Sequence, residues 1–430
     1  MDTREQYNQF LMPVAAKGVE PVVVVSGRGR TLTGADGKSY LDCFAGISVA
    51  NAGHNHPRIV AAAREQMEKL VHCCSYVYHV PVVGELAERL AAITPGNLKK
   101  SFFANSGAEA NEGALRLAKQ ATGRSEIVAL GHSFHGRTVG TLSVTGNSKR
   151  KRNAGPYLSG VAFAPAPYCY RCPLGMKYPS CGVACAAALK EVIQEQTSGD
   201  VAAFIAEPVL GEGGILPPPP EYFSIAAEIF HKAGALFIAD EVQSGFGRTG
   251  RMFAIEHSDG VVPDIMTMAK GIASGFPLGA FTAREPVCDA MQPGDHLSTF
   301  GGNPIACAAA LANIAVIQEE RLVENAANRG EELLARFRSL HEKYPLIGDV
   351  RGRGLMIGLE LVRDRVTKEP ATDSAKAIRE EMRERGVLIG VGGPNGNVLR
   401  FQPPLSITAE ECDQAVTALE QVVLSLKFKV

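Results

Sequence analysis

The chain has no tryptophan, and aromatic residues make up only 7% of its 430 residues. It lacks an excess of either charge: 44 Lys and Arg stand against 45 Asp and Glu, a formal net charge of −1. Nucleic-acid-binding and membrane-surface proteins need a field of one sign, so neither class is expected, and no nucleic-acid or membrane partner is either. No run of eighteen apolar residues occurs, which argues against a membrane-spanning helix. The opening MDTREQYNQF has no basic-then-apolar leader pattern and carries acidic residues, so the expected compartment is the cytoplasm. There are no internal repeats and no low-complexity tract. The length and a hydrophobic content of 46% allow two domains around a large core.

The richest stretch runs from Ala235 to Gly271. Ala235–Ala239 is apolar and strand-length, which reads as a buried strand. Asp240 and Glu241 follow at its end, where open α/β sheets bind ligands. Lys270 stands after a second apolar run and before small residues. A lysine at such an edge is a candidate Schiff-base former, because partial burial disfavours its charged form. Taken singly, the aspartate would serve as a turn residue and the lysine as a solvated tip. The segment Gly245–Gly250 (GFGRTG) matches a dinucleotide fingerprint in letters only, because DEVQS separates it from the strand and no helix is expected after it.

Elsewhere the chain alternates strand and helix patterns. PVVVVSGRGRTLTGADGKSYLD reads as a short meander, and PRIVAAAREQMEK and VVGELAERLAAI as amphipathic helices. Ser106 and Glu109 fit a capping box, and the small residues between them leave backbone N–H groups open to an anion. VAAFIAEPVLGEGG is a buried strand ending in Glu207, followed by Glu212 in a glycine-rich loop. From about Gln318 the texture turns to charged helices and short strands. His54 and His56 lie in a Gly/Asn/Pro loop with no further ligand nearby in sequence, a poor metal pattern. Cys169, Cys172, Cys181 and Cys185 form C-x2-C and C-x3-C pairs eight residues apart. That spacing allows structural zinc or free buried thiols; disulfides are disfavoured in the cytosol.

ADEVQSGFGRTG followed by AKGIASGFPLGA resembles the class III, or ω-, aminotransferases, and the resemblance recurs at separated motifs along nearly the whole chain. It implies pyridoxal 5′-phosphate (PLP) as cofactor and the type I fold of PLP enzymes. That fold has a large domain with a mixed, mostly parallel sheet flanked by helices, and a smaller α+β domain built from both termini. The segments expected are 1–48 for the N-terminal part of the small domain, 49–317 for the large domain with a Cys-rich insert at 165–186, and 318–430 for the rest of the small domain. By the resemblance, Lys270 carries PLP and shuttles the proton, and Asp240 faces the pyridine nitrogen. Ser106, Gly107 and Ala108 cradle the phosphate, Phe134 and Val242 flank the ring, and Gln243 reaches its phenolic oxygen. Glu207 belongs to the hydrogen-bond network beside the cofactor. Thr299 reaches the phosphate of a neighbouring subunit, which implies a homodimer or a dimer of dimers. No iron–sulfur cluster is expected, because the SGAEANE region has no cysteine.

The resemblance also bears on the substrates, an amino donor and a 2-oxo acid acceptor. Arg137 matches the arginine that takes a distal carboxylate, and Glu212 matches a gate that pairs with Arg400. Ile47 stands where ornithine aminotransferases have a tyrosine and cannot pair with a second amine. These residues lean toward 4-aminobutyrate with 2-oxoglutarate. Alternatives are acetylornithine or ornithine aminotransferase, alanine–glyoxylate or β-amino acid–pyruvate aminotransferase, and a PLP-dependent racemase. A non-catalytic zinc-binding protein on the same fold is the remaining reading.

Overall fold

A computed structural model describes residues 1–14 and 20–427. Residues 15–19 and 428–430, which fall in the expected terminal segments, lie outside the described residues. The strands in chain order are β1 (Val24–Arg28), β2 (Thr31–Gly34), β3 (Ser39–Asp42), β4 (Leu98–Ala104), β5 (Glu126–Leu130), β6 (Val161–Ala164), β7 (Val201–Ala206), β8 (Leu236–Asp240), β9 (Ile265–Met268), β10 (Gly279–Arg284), β11 (Ile347–Arg353), β12 (Met356–Leu361), β13 (Val387–Leu388), β14 (Gly390–Gly392) and β15 (Val398–Phe401).

The central sheet has the order β4-β10-β9-β8-β7-β5-β6. The pairs from β9 to β6 are parallel, and β10 runs antiparallel to both of its neighbours. This is the mixed, mostly parallel sheet that the family resemblance implies. Side chains on β7 and β8 alternate between faces, as the two-residue period of a strand requires. Phe204 and Phe237 are register partners and join a stack with Phe223 and Phe230 of the helix Tyr222–Lys232. Ala203, Ile205 and Ile238 face the opposite layer, with Ala114, Leu117 and Ala118 of the helix Gly107–Thr122. Close approach there depends on Gly113, where a Cβ would lie 2.3 Å from the Phe281 ring on β10.

Two smaller sheets flank this body. β1, β2 and β3 form the antiparallel meander, and β3 pairs in parallel with β13, so the N-terminal strands share a sheet with a strand some 350 residues later. The second has the order β11-β12-β15-β14 and is antiparallel throughout. The helix Leu322–Lys343 packs on β11 and β12, and the helix Pro304–Glu319 packs on the helices Pro57–Lys69 and Pro81–Ile93. Among the described residues no helix is long and apolar enough to cross a membrane.

Candidate active site

Five strands of the central sheet end on one cavity of about 410 Å³. β4 leads into Ser106, β5 into Phe134 and His135, β7 into Glu207, β8 into Asp240 and Val242, and β9 into Lys270. Carboxyl ends of parallel strands are where such sheets bind ligands, because each strand hands over to a loop there. Asp240 is 2% exposed. Its Oδ2 accepts from Asn111 Nδ2 at 2.8 Å and from His135 Nδ1 at 2.7 Å, and its Oδ1 accepts from the Val242 N–H at 3.1 Å. Those contacts require the proton on His135 Nδ1 and leave the carboxylate further acceptor capacity.

Glu207 is buried beside this network. The Phe134 and Gly211 N–H groups donate to its two oxygens, both at 2.9 Å. Burial pushes its carboxyl up to about 7, partly opposed by His135. Lys270 lines the same cavity with φ at +46°, a left-handed conformation that costs a non-glycine residue energy and persists at functional sites. Burial pulls its ammonium below the ordinary range, while Asp240 and Glu207 oppose the shift. Among the described residues, no hydrogen bond or ion pair takes up its Nζ.

The helix Gly107–Thr122 begins at the cavity with Ser106 as N-cap, whose Oγ accepts from the Glu109 N–H at 3.2 Å. The expected capping box is not completed. Glu109 reaches back one residue too far and accepts from the Asn105 N–H at 2.7 Å. First-turn N–H groups have no partner within a helix, so Gly107 and Ala108 present donors to an anion. The cradle tolerates no added carbon: a Cβ on Gly107 would lie 2.7 Å from Val242, and one on Gly279 would lie 2.2 Å from the Ser106 carbonyl oxygen. Phe134, Val242 and Gln243 also line the cavity. Gln243 is oriented by Gln402, whose Nε2 donates to its Oε1 at 3.0 Å.

Arg137 reaches the cavity wall with its guanidinium carbon 5.8 Å from the Phe134 ring centre. Among the described residues it pairs with no carboxylate. Glu212 and Arg400 do not line this cavity, yet their charges act on Lys270. Arg400, on β15, is 4% exposed, stacks 5.1 Å above Phe44, and donates from Nη1 to Glu212 Oε2 at 3.1 Å. Among the described residues its buried Nε has no partner. Burial alone would raise the Glu212 carboxyl, but Arg400 and then Arg150 outweigh it and hold it below the usual range. Ile47 also lies outside the cavity lining, at φ +70° in a left-handed turn from Ala45 to Ser48. Asp42 holds that turn by accepting from the Phe44 and Ala45 N–H groups, each at 2.9 Å. Thr299 is exposed on the loop before the helix Pro304–Glu319.

His135, Asn111 and Arg150 are absent from the reading of the sequence alone. His135 and Asn111 hold Asp240 across 105 and 129 residues of chain, a pairing no local pattern carries. Asn111 left one trace: it is a polar residue on the apolar face of a capped helix. The two histidines of the Gly/Asn/Pro loop find carboxylates after all, His54 with Asp42 at 2.7 Å and His56 with Glu320 at 3.1 Å.

Of the two readings of the cysteine insert, the structure shows the four thiols unbridged. All four thiols are free and line a tight cavity of about 10 Å³ with Pro173, Leu174 and Met176. Burial, with neighbouring thiols adding to it, pushes Cys185 up to about 11. Zinc needs thiolates. Among the described residues no group of three or more His, Cys, Asp or Glu is placed to hold a metal ion.

A family model described as aminotransferase class III matches residues 14–423. An Arabidopsis thaliana protein named alanine–glyoxylate aminotransferase 2 homolog 2, mitochondrial, is 45% identical over 93% of this chain and 82% of its own. A leucine/methionine racemase of Thermococcus litoralis is 39% identical, over 98% of this chain and 95% of that one. A probable 4-aminobutyrate aminotransferase of Bacillus subtilis is 38% identical over 97% of both chains. Among solved structures, the PLP-bound form of an amine transaminase from an uncultivated Pseudomonas species superimposes with a TM-score of 0.92 at 35% identity, covering 97% of this chain and 98% of that one.

Proposed function

This chain belongs to the class III aminotransferases, which depend on PLP, and from that premise we propose that it transfers the amino group of an ω-amino acid, 4-aminobutyrate foremost, to 2-oxoglutarate. The residues of the cavity fit PLP. A helix N-terminus suits the phosphate, Phe134 the ring face, Asp240 the ring nitrogen, and the unpaired Lys270 amine the aldehyde. When bound, the cofactor supplies an electron sink for the bond that breaks at the substrate carbon.

The remaining steps fall to the chain's own side chains. Asp240, held by His135 and Asn111, keeps the ring nitrogen protonated, because a fixed carboxylate favours the cationic form. Glu207 fixes the loop behind Phe134, and Gln243 donates to the ring oxygen. Lys270, its charge already disfavoured by burial, removes the proton from the amine-bearing carbon. Arg137 takes the distal carboxylate of the donor in a planar, bidentate contact. Arg400 takes the α-carboxylate of the acceptor once Glu212 releases it.

The observation that carries this reading is the pair of arginines, Arg137 without a carboxylate partner and Arg400 closed by Glu212. A donor with a single distal carboxylate needs only the first, and a dicarboxylic acceptor needs both. Ile47 supports a donor without a second amine. A screen of half-reactions with 4-aminobutyrate, ornithine, N-acetylornithine, β-alanine and alanine tests it, with 2-oxoglutarate, pyruvate and glyoxylate as acceptors. Fastest exchange between 4-aminobutyrate and 2-oxoglutarate is expected. No turnover of 4-aminobutyrate beside fast turnover of ornithine or β-alanine would refute the substrate assignment.

The Thermococcus litoralis relative favours racemisation as a second reading. Loss of α-deuterium from leucine or methionine without an oxo product would establish it. A homodimer belongs to the same proposal. Phe300 is 62% exposed and meets the His72 ring at 5.1 Å, and Val71, Val77, Tyr78 and Leu297 are exposed in the same two segments of chain, apolar side chains that a second copy would cover. Thr299 lies among them, where it would meet the partner's cofactor. Sedimentation at micromolar concentration should give a dimer or a dimer of dimers.

A further inference from the structure

We propose that Arg150 is a positioning residue that retains Glu212 when Glu212 leaves Arg400, and so sets how readily the site admits an α-carboxylate. The inference rests on the Glu212–Arg400 gate described above and adds the part that makes its opening affordable.

Glu212 is bound at both oxygens. Oε2 accepts from Arg400, and Oε1 accepts from Arg150 Nη2. The two arginines differ in setting: the Arg400 side chain is 5% exposed and that of Arg150 is 29%. An α-carboxylate that comes to Arg400 must displace Glu212, whose side chain is itself only 15% exposed. A carboxylate turned out of a buried pair and left unpaired carries a desolvation cost that the incoming carboxylate does not repay. Arg150 removes most of that cost, because Glu212 keeps one charge-assisted hydrogen bond throughout.

The surroundings fit a carboxylate that turns away from Arg400 while it stays on Arg150. Glu212 sits just before Gly213 and Gly214, the latter at φ +111°. Behind it the loop is pinned, because Arg351 donates to the carbonyl oxygens of Gly214 and Ile215. Arg150 stands on the short helix Ser148–Lys151. That helix is fastened by Asn147 at its start and by Lys151, which donates to the Ser143 carbonyl and stacks on Tyr157 and Phe163. The loop and the helix are therefore both fixed, and the Glu212 side chain is the part left to turn.

The test uses the PLP-loaded enzyme and compares kcat/KM for 4-aminobutyrate with kcat/KM for 2-oxoglutarate in the wild type, R150A, R150K, E212Q and R150A/E212Q. Without Arg150, Glu212 has only Arg400 to pair with, so R150A should shift the ratio about tenfold against 2-oxoglutarate, mainly through KM. R150K should recover part of the loss. E212Q should shift the ratio the other way, and the double variant should behave as E212Q, because Arg150 acts only through Glu212. A ratio unchanged in R150A, or changed equally in R150A and R150A/E212Q relative to their parents, overturns the inference while leaving the gate intact. A ratio unchanged in E212Q removes the gate itself, and the inference falls with it.

Discussion

At the scale of single residues, the site is held by contacts that are individually costly. Lys270 and Ile47 both adopt left-handed backbone conformations, and each such residue costs on the order of 1–2 kcal/mol. Asp42 stabilises the turn that contains Ile47, and the packed ends of β9 hold Lys270. Asp240 is buried and triply bonded, so its charge is fixed where a ring nitrogen would need it. Asp240→Asn should lower kcat roughly 100-fold or more, about 2.7 kcal/mol of barrier, with little change in thermal midpoint. Steady-state kinetics beside a melting curve separate the two effects. Lys270, Asp240 and Glu207 were legible in the sequence because each follows an apolar, strand-length run. His135, Asn111 and Arg150 were not, because what they do depends on a partner more than sixty residues away.

At the scale of elements, strand ends and helix starts do the positioning. β10 passes so close to Ser106 that Gly279 has no room for a Cβ. Gly279→Ala should destabilise the protein by about 1–3 kcal/mol through overpacking and weaken PLP retention by shifting the phosphate cradle. Gly84, exposed within the helix Pro81–Ile93 and with nothing within 4 Å of an added Cβ, gives the opposite sign. Gly84→Ala should stabilise by roughly 0.5–1 kcal/mol. Denaturant titration of the two variants side by side checks both. The cysteine insert is docked by charge: Glu360 on β12, fully buried, binds Arg351 at 2.8 Å together with Tyr168 and Arg171. Glu360→Ala should cost about 3–5 kcal/mol, since it strands buried arginine charge. The strands and long helices were readable from their apolar periods. The docking of the insert was not, because Glu360 lies 192 residues from Tyr168 and 189 from Arg171 and no local pattern links them.

For the whole molecule, buried acids couple stability to pH. Glu241 lies at the end of β8, accepting from Ser244 and the Ile255 N–H, and burial pushes it up to about 7. Its ordinary value is 4.5, so the native state holds this proton after the unfolded chain has released it. The stability it contributes is complete below pH 4.5 and is lost as pH rises through 7, on the order of 3 kcal/mol across the window. Glu241→Gln should flatten that part of the stability profile, measured as thermal midpoint against pH at fixed protein concentration. A parallel profile in the variant would refute the assignment. The pairing of β3 with β13 and the ring of strand ends around one cavity are also properties of the whole. The family resemblance implies only that both termini share the small domain, and the pairing itself was not visible, since nothing local in either strand names its distant partner.

The central claim is a covalent link between PLP and Lys270. Reduction of the loaded enzyme with borohydride, followed by proteolysis and mass spectrometry, should find the phosphopyridoxyl group on the peptide that contains Lys270. Recovery of the group on another lysine, or on no peptide at all, would contradict it.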